Sequence, residues 1–132
     1  MPIPLDVLIV EDNDLNRELL LRQLSLLGYQ AEAVPSGQYG VDRFTASHYA
    51  IVLLDIMMPG LDGYATARLM RRLEQDESRT RTPIVAVTAN AYPENRDACY
   101  AAGMDDWLTK PYTLEELQDK LERWVGTLQP SD

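Results

Sequence analysis

Four places in this chain carry residues that could do chemistry together: the acidic pair Glu11-Asp12, the carboxylate Asp55, the hydroxyl Thr88 and the amine Lys110. Glu11-Asp12 closes the apolar run Val7 to Val10, Asp55 closes Ala50 to Leu54, and Thr88 closes Ile84 to Val87. Lys110 comes directly after a short segment holding Trp107 and Leu108. Taken singly, each acid reads as a polar residue finishing a strand. Gathered on one rim, the carboxylates of Glu11, Asp12 and Asp55 would repel one another and lose hydration, so some must protonate or a cation must sit among them. An oxygen-rich site of this kind suits Mg²⁺, or Mn²⁺, better than zinc, because hard cations prefer carboxylate and carbonyl oxygen.

Whether these residues meet depends on the elements that carry them. The three runs are rich in Val, Ile and Leu and too short for buried helices, so they read as strands covered on both faces and therefore parallel. Leu15, Leu19, Leu20, Leu24 and Leu27 recur at three- and four-residue intervals and stop at Gly28, which predicts an amphipathic helix with a glycine just past its end. Tyr29 to Val34 predicts a further strand, and Ser36 a cap for a helix reaching about Ser47 across Gly37 and Gly40. Asp62, ending the turn-rich Met58 to Gly63, predicts the cap of a helix carrying Leu69, Met70 and Leu73, and a loop follows from Asp76 to Pro83. Pro93 to Ala102, bounded by proline and Gly103, reads as a short helix, and Trp107-Leu108 as a fifth strand. Thr113 with Glu116 forms a capping box for a last helix that turns Leu114, Leu117, Leu121 and Trp124 or Val125 inward. Alternating strands and helices predict an α/β domain, a parallel sheet with helices on both faces and right-handed crossovers. In such sheets the functional crevice lies outside the carboxyl ends of the strands, where the residues above are found.

Composition narrows the alternatives. The 132 residues suit one domain, and 45% hydrophobic with 25% charged residues is ordinary globular composition. Twelve basic residues against 21 acidic ones give a net charge of −9, which argues against direct nucleic-acid binding. No apolar run approaches the roughly 18 residues of a membrane span, and the N-terminus lacks signal-peptide character. The lone Cys99 can form no internal disulfide. A cytoplasmic domain without membrane contact is expected. No zinc pattern, Walker loop or GxGxxG occurs.

Four fragments in fixed order, Val-Glu-Asp-Asn at 10–13, Leu-Leu-Asp-Ile-Met-Met-Pro-Gly-Leu-Asp-Gly at 53–63, Val-Thr-Ala-Asn at 87–90 and Gly-Met-Asp-Asp-Trp-Leu-Thr-Lys-Pro at 103–111, make the chain resemble the receiver domain of two-component response regulators. The resemblance covers residues 5–126 and leaves 1–4 and 127–132 as flexible termini. It implies a flavodoxin-like doubly wound (βα)5 three-layer sandwich with strand order 2-1-3-4-5. It also implies that Asp55 accepts a phosphoryl group from a phosphohistidine on a sensor histidine kinase or a histidine phosphotransfer domain. A carboxylate can serve as a covalent nucleophile, and phosphoryl transfer needs positioning and charge neutralisation above all. Asp12 and Asp55 would bind Mg²⁺ directly, Glu11 through water, and Met57 through its main-chain carbonyl; Lys110 and Thr88 would hold phosphoryl oxygens. Met57 and Asn90 would tune the phosphoryl lifetime, and the Lys110-Pro111 bond is cis in the family.

The implied output is a switch: about −1.5 to −2 charges appear at Asp55, Thr88 is drawn in, and the aromatic at 107 turns inward. The family usually has Tyr, Phe or His there, so Trp107 is a departure, and simple packing at a strand edge is the competing reading. Asn13-Asp14-Leu15-Asn16 and the 104–111 segment look like receivers fused to hybrid sensor kinases. The domain would catalyse only its own phosphorylation and dephosphorylation, and would count as part of a kinase only within a hybrid protein. No effector module is expected after Gly126, and dimerisation through 91–125 stays open. The alternative function is a pseudo-receiver that signals by binding alone. Cys99 reads as a small buried hydrophobe, His48 as solvated, and Arg68, Arg71, Arg72, Arg79 and Arg81 as a solvated basic face and loop.

Overall fold

A computed structural model of the chain describes residues 6–89 and 93–125. Five strands, β1 (Val7–Val10), β2 (Ala31–Val34), β3 (Ile51–Asp55), β4 (Ile84–Thr88) and β5 (Asp106–Thr109), form one sheet in the order β2-β1-β3-β4-β5. All neighbours pair in parallel. The helices between and after them are α1 (Asp14–Leu26), α2 (Gly37–Ala46), α3 (Gly63–Asp76), α4 (Pro93–Ala101) and α5 (Leu114–Val125). The expected architecture is thus the observed one.

Strand parity builds the three layers. Side chains alternate across a strand, so Val7, Ile9, Ile51, Leu53, Val85 and Val87 face one side, where Leu20 and Leu24 of α1 and Leu117 and Leu121 of α5 complete a core. Leu8, Val10, Val52, Leu54, Ile84 and Ala86 face the other, against Phe44 of α2, Ala67 and Met70 of α3 and Cys99 of α4. Burial on both faces is why the central strands lack polar alternation. The two glycines inside α2 let it lie close to its neighbours: a Cβ on Gly40 would stand 2.8 Å from a Val10 methyl carbon, and one on Gly37 2.2 Å from Thr66 Oγ1.

Local capping follows the sequence reading. Ser36 Oγ accepts from the Tyr39 N–H, an Asp62 oxygen from the Ala65 N–H, and Thr113 with Glu116 exchange both bonds of the capping box. Gly28 lies at φ +91°, the left-handed conformation that ends α1.

Three expectations are corrected. Leu15 and Leu19 belong to the apolar repeat of α1 yet are 75% and 52% exposed, because the helix rests on the sheet through Leu20 and Leu24 and the stripe that these define leaves Leu15 and Leu19 on the flank turned to solvent. Leu114, at the start of α5, is likewise exposed. The arginines of 68–81 do not form one solvated face. Arg71, 12% exposed at its side chain, donates to Glu74 (2.7 Å), Asp105 (2.7 Å) and the carbonyls of Gly103 and Thr82. Arg79 donates to the Phe44 and Thr45 carbonyls, and Arg81 pairs with Asp105. Long side chains with several donors can bridge buried carbonyls that helix periodicity says nothing about. Arg68 and Arg72 are exposed as expected, as is His48, while Cys99 is buried.

Candidate functional site

The carboxyl ends of β1, β3, β4 and β5 deliver Glu11-Asp12, Asp55, Thr88 and Lys110 to one rim. β1 and β3 are adjacent, with Val10 opposite Leu54, so the residues that follow are neighbours. Carboxylate oxygens of Glu11, Asp12 and Asp55 all lie within 4.8 Å of one another, with Glu11 and Asp55 buried and Asp12 exposed. Two buried acids and one at the surface, all oxygen donors, fit a hard divalent cation entered from solvent.

Each acid is held by its own surroundings. Glu11 accepts from the Asn13 N–H (3.0 Å) and from Lys110 Nζ (3.0 Å), while its carbonyl accepts from Arg17. Burial pushes the Glu11 carboxyl up, but the Asn13 N–H and Lys110 outweigh it and hold the group below its ordinary value. Among the described residues, Asp55 accepts one backbone bond, from the Met57 N–H at 3.2 Å. Burial first, and then the charge of Glu11, push Asp55 up to about 7 against the opposing pull of Lys110. One carboxylate is thus kept charged and its neighbour poised near neutrality.

The loop after β3 is set by a steric demand. A Cβ on Gly63 would stand 2.6 Å from the Asp55 carbonyl oxygen and 2.6 Å from Ile56 Cα. The Gly63 N–H donates to the Ile56 carbonyl (3.0 Å), folding residues 57–62 into a lip on which Met57 is 77% exposed. Thr88, 5% exposed, is the last residue of β4 and lies opposite Thr109, and its carbonyl accepts from the Lys110 N–H at 2.8 Å. The Lys110-Pro111 peptide is cis, as expected.

Trp107 is partly buried on β5 between α4 and α5. Arg96 lies 4.7 Å and Lys120 5.5 Å from its ring centre, and the Tyr100 ring meets it edge-on at 5.9 Å. Its neighbour Asp106, 4% exposed, accepts from Lys120, Trp124 Nε1 and the Trp107 N–H. Burial pushes Asp106 up, but these donors prevail and hold it low. Sequence reading gave Asp106 no role; the pairing of an acid on β5 with Lys120 and Trp124, four residues apart on α5, was the signal available. Asn90 and residues 91 and 92 lie outside the described residues, as do 1–5 and 126–132.

The model of the response regulator receiver domain matches residues 7–122. The chain belongs to that family. Among relatives, the hybrid signal transduction protein dokA of Dictyostelium discoideum is 36% identical over 121 residues, covering 92% of this chain and 7% of that protein. The sensor histidine kinase RcsC of Escherichia coli K12 is 35% identical over 125 residues, 95% of this chain and 13% of that protein. This receiver therefore spans only a small part of the length of such relatives. Among solved structures, the receiver domain of sensor histidine kinase PA1611 from Pseudomonas aeruginosa PAO1, with magnesium coordinated in its active-site cleft, superposes with a TM-score of 0.83 at 39% identity, covering 94% of this chain and 99% of that one. The co-crystal structure of the Saccharomyces cerevisiae histidine phosphotransfer protein Ypd1 with the receiver domain of Ssk1 gives a TM-score of 0.86 at 27% identity, covering 95% and 92%. No helix of the described residues is long and apolar enough to cross a membrane.

Proposed function

We propose that this receiver takes a phosphoryl group onto Asp55 from a phosphohistidine of a sensor histidine kinase or a histidine phosphotransfer domain. The observation that carries the reading is the cluster of Glu11, Asp12 and Asp55 at the strand ends with Lys110 reaching into it. An Asp55 carboxylate oxygen attacks phosphorus while the phosphorus–nitrogen bond breaks, and the imidazole leaves with the electron pair and takes up a proton. Asp12, Asp55, the Met57 carbonyl and, through water, Glu11 would hold Mg²⁺, which would neutralise phosphoryl charge. Lys110 would exchange Glu11 for a phosphoryl oxygen, Thr88 would donate to another, and Met57 with Asn90 would set how long the group persists. Thr88 and Trp107 are the proposed switch, with Trp107 leaving Arg96 and Lys120 as it turns. The domain performs no turnover beyond its own phosphorylation and dephosphorylation, and works in the cytoplasm.

The partner's approach is supported by α1. Leu15 and Leu19 are exposed on α1, and Leu19 lines a cleft of about 410 Å³ together with Leu20, Gln23, Lys110, Pro111 and Tyr112. An apolar surface next to the acceptor lets a helical phosphodonor bury area while it presents its histidine. A binding-only role is disfavoured, because it gives no reason to gather three carboxylates and a lysine at one point. Intact mass after incubation with acetyl phosphate tests the proposal. One phosphoryl adduct that requires Mg²⁺ and is absent from Asp55→Asn is expected; folded, Mg²⁺-binding protein without an adduct overturns it.

A further inference from the structure

We propose that the outer face of α1 is a self-association surface on which two copies of this chain pair around a twofold axis. On the other helices the exposed large hydrophobics of the described residues stand singly, Tyr39 on α2, Leu69 on α3, Tyr100 on α4 and Leu114 on α5, as scattered apolar surface ordinarily does. α1 differs: Leu15, Leu19 and Leu26 are all exposed, Leu26 by 78%. With Arg22, also exposed, they recur at intervals of four, three and four residues. That spacing lines residues up along one side of a helix and forms the seam of paired helices. Leu20 and Leu24 already anchor the helix to the sheet, so the seam lies on the side turned away from it. α1 therefore carries a second apolar stripe, open to solvent.

Charge and symmetry select a second copy as the occupant. α1 holds Asp14 and Glu18 against Arg17 and Arg22, so it is neutral, while the whole chain carries −9. Two copies therefore repel least where these helices meet. The stripe is also self-complementary. With the helices antiparallel about an axis between residues 20 and 21, Leu15 of one copy packs on Leu26 of the other and Leu19 on the stem of Arg22, whose guanidinium reaches the flanking Glu18. Arg17 is tied to Asp14 and to the Glu11 carbonyl, but the exposed Glu18 and Arg22 form no ion pair among the described residues. The twofold axis makes their cross-helix pair twice. Leu19 also walls the cleft beside Lys110, so on the function proposed above the dimer and a helical phosphodonor compete for one face.

The test is sedimentation equilibrium of the full chain from micromolar to millimolar concentration. The natural chain is expected to pass reversibly from the mass of one copy toward that of two. Leu26→Lys leaves the core untouched and suits the last turn of α1, so it should keep its circular dichroism and unfolding midpoint yet weaken association about tenfold or more. Glu18→Arg and Arg22→Glu should each associate less than the natural chain, because each sets like charges against one another across the axis. An equimolar mixture of the two should associate again, since the mixed dimer restores both ion pairs. A natural chain that stays monomeric throughout the range leaves the stripe to a foreign helix and overturns the proposal. So does a dimer that Leu26→Lys does not weaken, or a mixture that associates no better than its components. Association lost in Tyr100→Ala and kept in Leu26→Lys would place the contact on α4 and overturn it too. Mass alone is read, so none of these outcomes bears on Asp55 as the phosphoacceptor.

Discussion

At Asp55 a proton and a metal ion compete for the same oxygens. With the carboxyl held at about 7 by burial and by the Glu11 charge, cation binding must expel a proton whenever the pH is lower. Mg²⁺ affinity should therefore rise about tenfold per pH unit up to neutrality and level off above it, since one proton is exchanged. Calorimetric titration at several pH values, in buffers of different ionisation enthalpy, measures both the slope and the proton released. The same shift has a stability consequence. The ordinary value of the group is 3.8, so between there and about 7 the folded chain keeps a proton that the unfolded chain has lost. The contribution of Asp55 to stability thus falls as pH rises through that window and is constant above it. Asp55→Asn removes the cost of burying this charge. Without Mg²⁺ it should be more stable than the natural chain by on the order of 2 kcal/mol at pH 8, a gain that shrinks toward pH 4. Urea unfolding at the two pH values checks the sign.

Elements place these groups through local chemistry and through close approach, and the two differ in how far sequence reveals them. Caps at Ser36, Asp62 and Thr113 are legible because donor and acceptor lie within three residues of each other. The strand ends that bring Glu11, Asp55 and Thr88 together are legible because doubly buried strands leave a plain apolar signature bounded by polar residues. The exposure of Leu15 and Leu19 is not, since the apolar repeat of α1 is wider than the stripe that the sheet covers. Nor is the reach of Arg71, whose partners lie up to 34 residues away in sequence. Gly63 belongs with the hidden group: a turn-rich segment announces a glycine but not the backbone that passes beneath it. Gly63→Ala should cost about 2–3 kcal/mol by overpacking the junction of β3 and α3. Because the displaced atoms belong to Asp55 and Ile56, phosphoryl uptake should slow as well, even in the fraction that remains folded. Denaturant unfolding beside an acetyl phosphate time course separates the two effects.

Across the whole molecule, charge is divided between the two ends of the sheet. The carboxyl end gathers like charges that destabilise the fold until a cation or Lys110 offsets them. The opposite end is closed by matched ones. There Asp105 accepts from Arg71, Arg81 and the Ile84 N–H at the start of β4, while Glu74 accepts from Arg71 and the Thr82 N–H. Arg71 thereby ties α3, the turn after α4 and the entries to β4 and β5 into one unit, with its side chain and that of Glu74 12% and 6% exposed. Removing it leaves two largely buried carboxylates with fewer donors, and the loss of one partner from a buried pair costs far more than the pair itself contributes. Arg71→Ala should lose about 2–3 kcal/mol, and Arg71→Lys should recover only a minor part, because an ammonium cannot span four acceptors in a planar fork. Both should leave phosphoryl uptake per folded molecule unchanged, since the network lies at the far end of the strands from Asp55. Denaturant midpoints measured beside adduct formation at low temperature, where each variant stays folded, give the comparison. Slower uptake in fully folded Arg71→Ala would mean that the two ends of the sheet are mechanically coupled rather than separately specialised for stability and for chemistry.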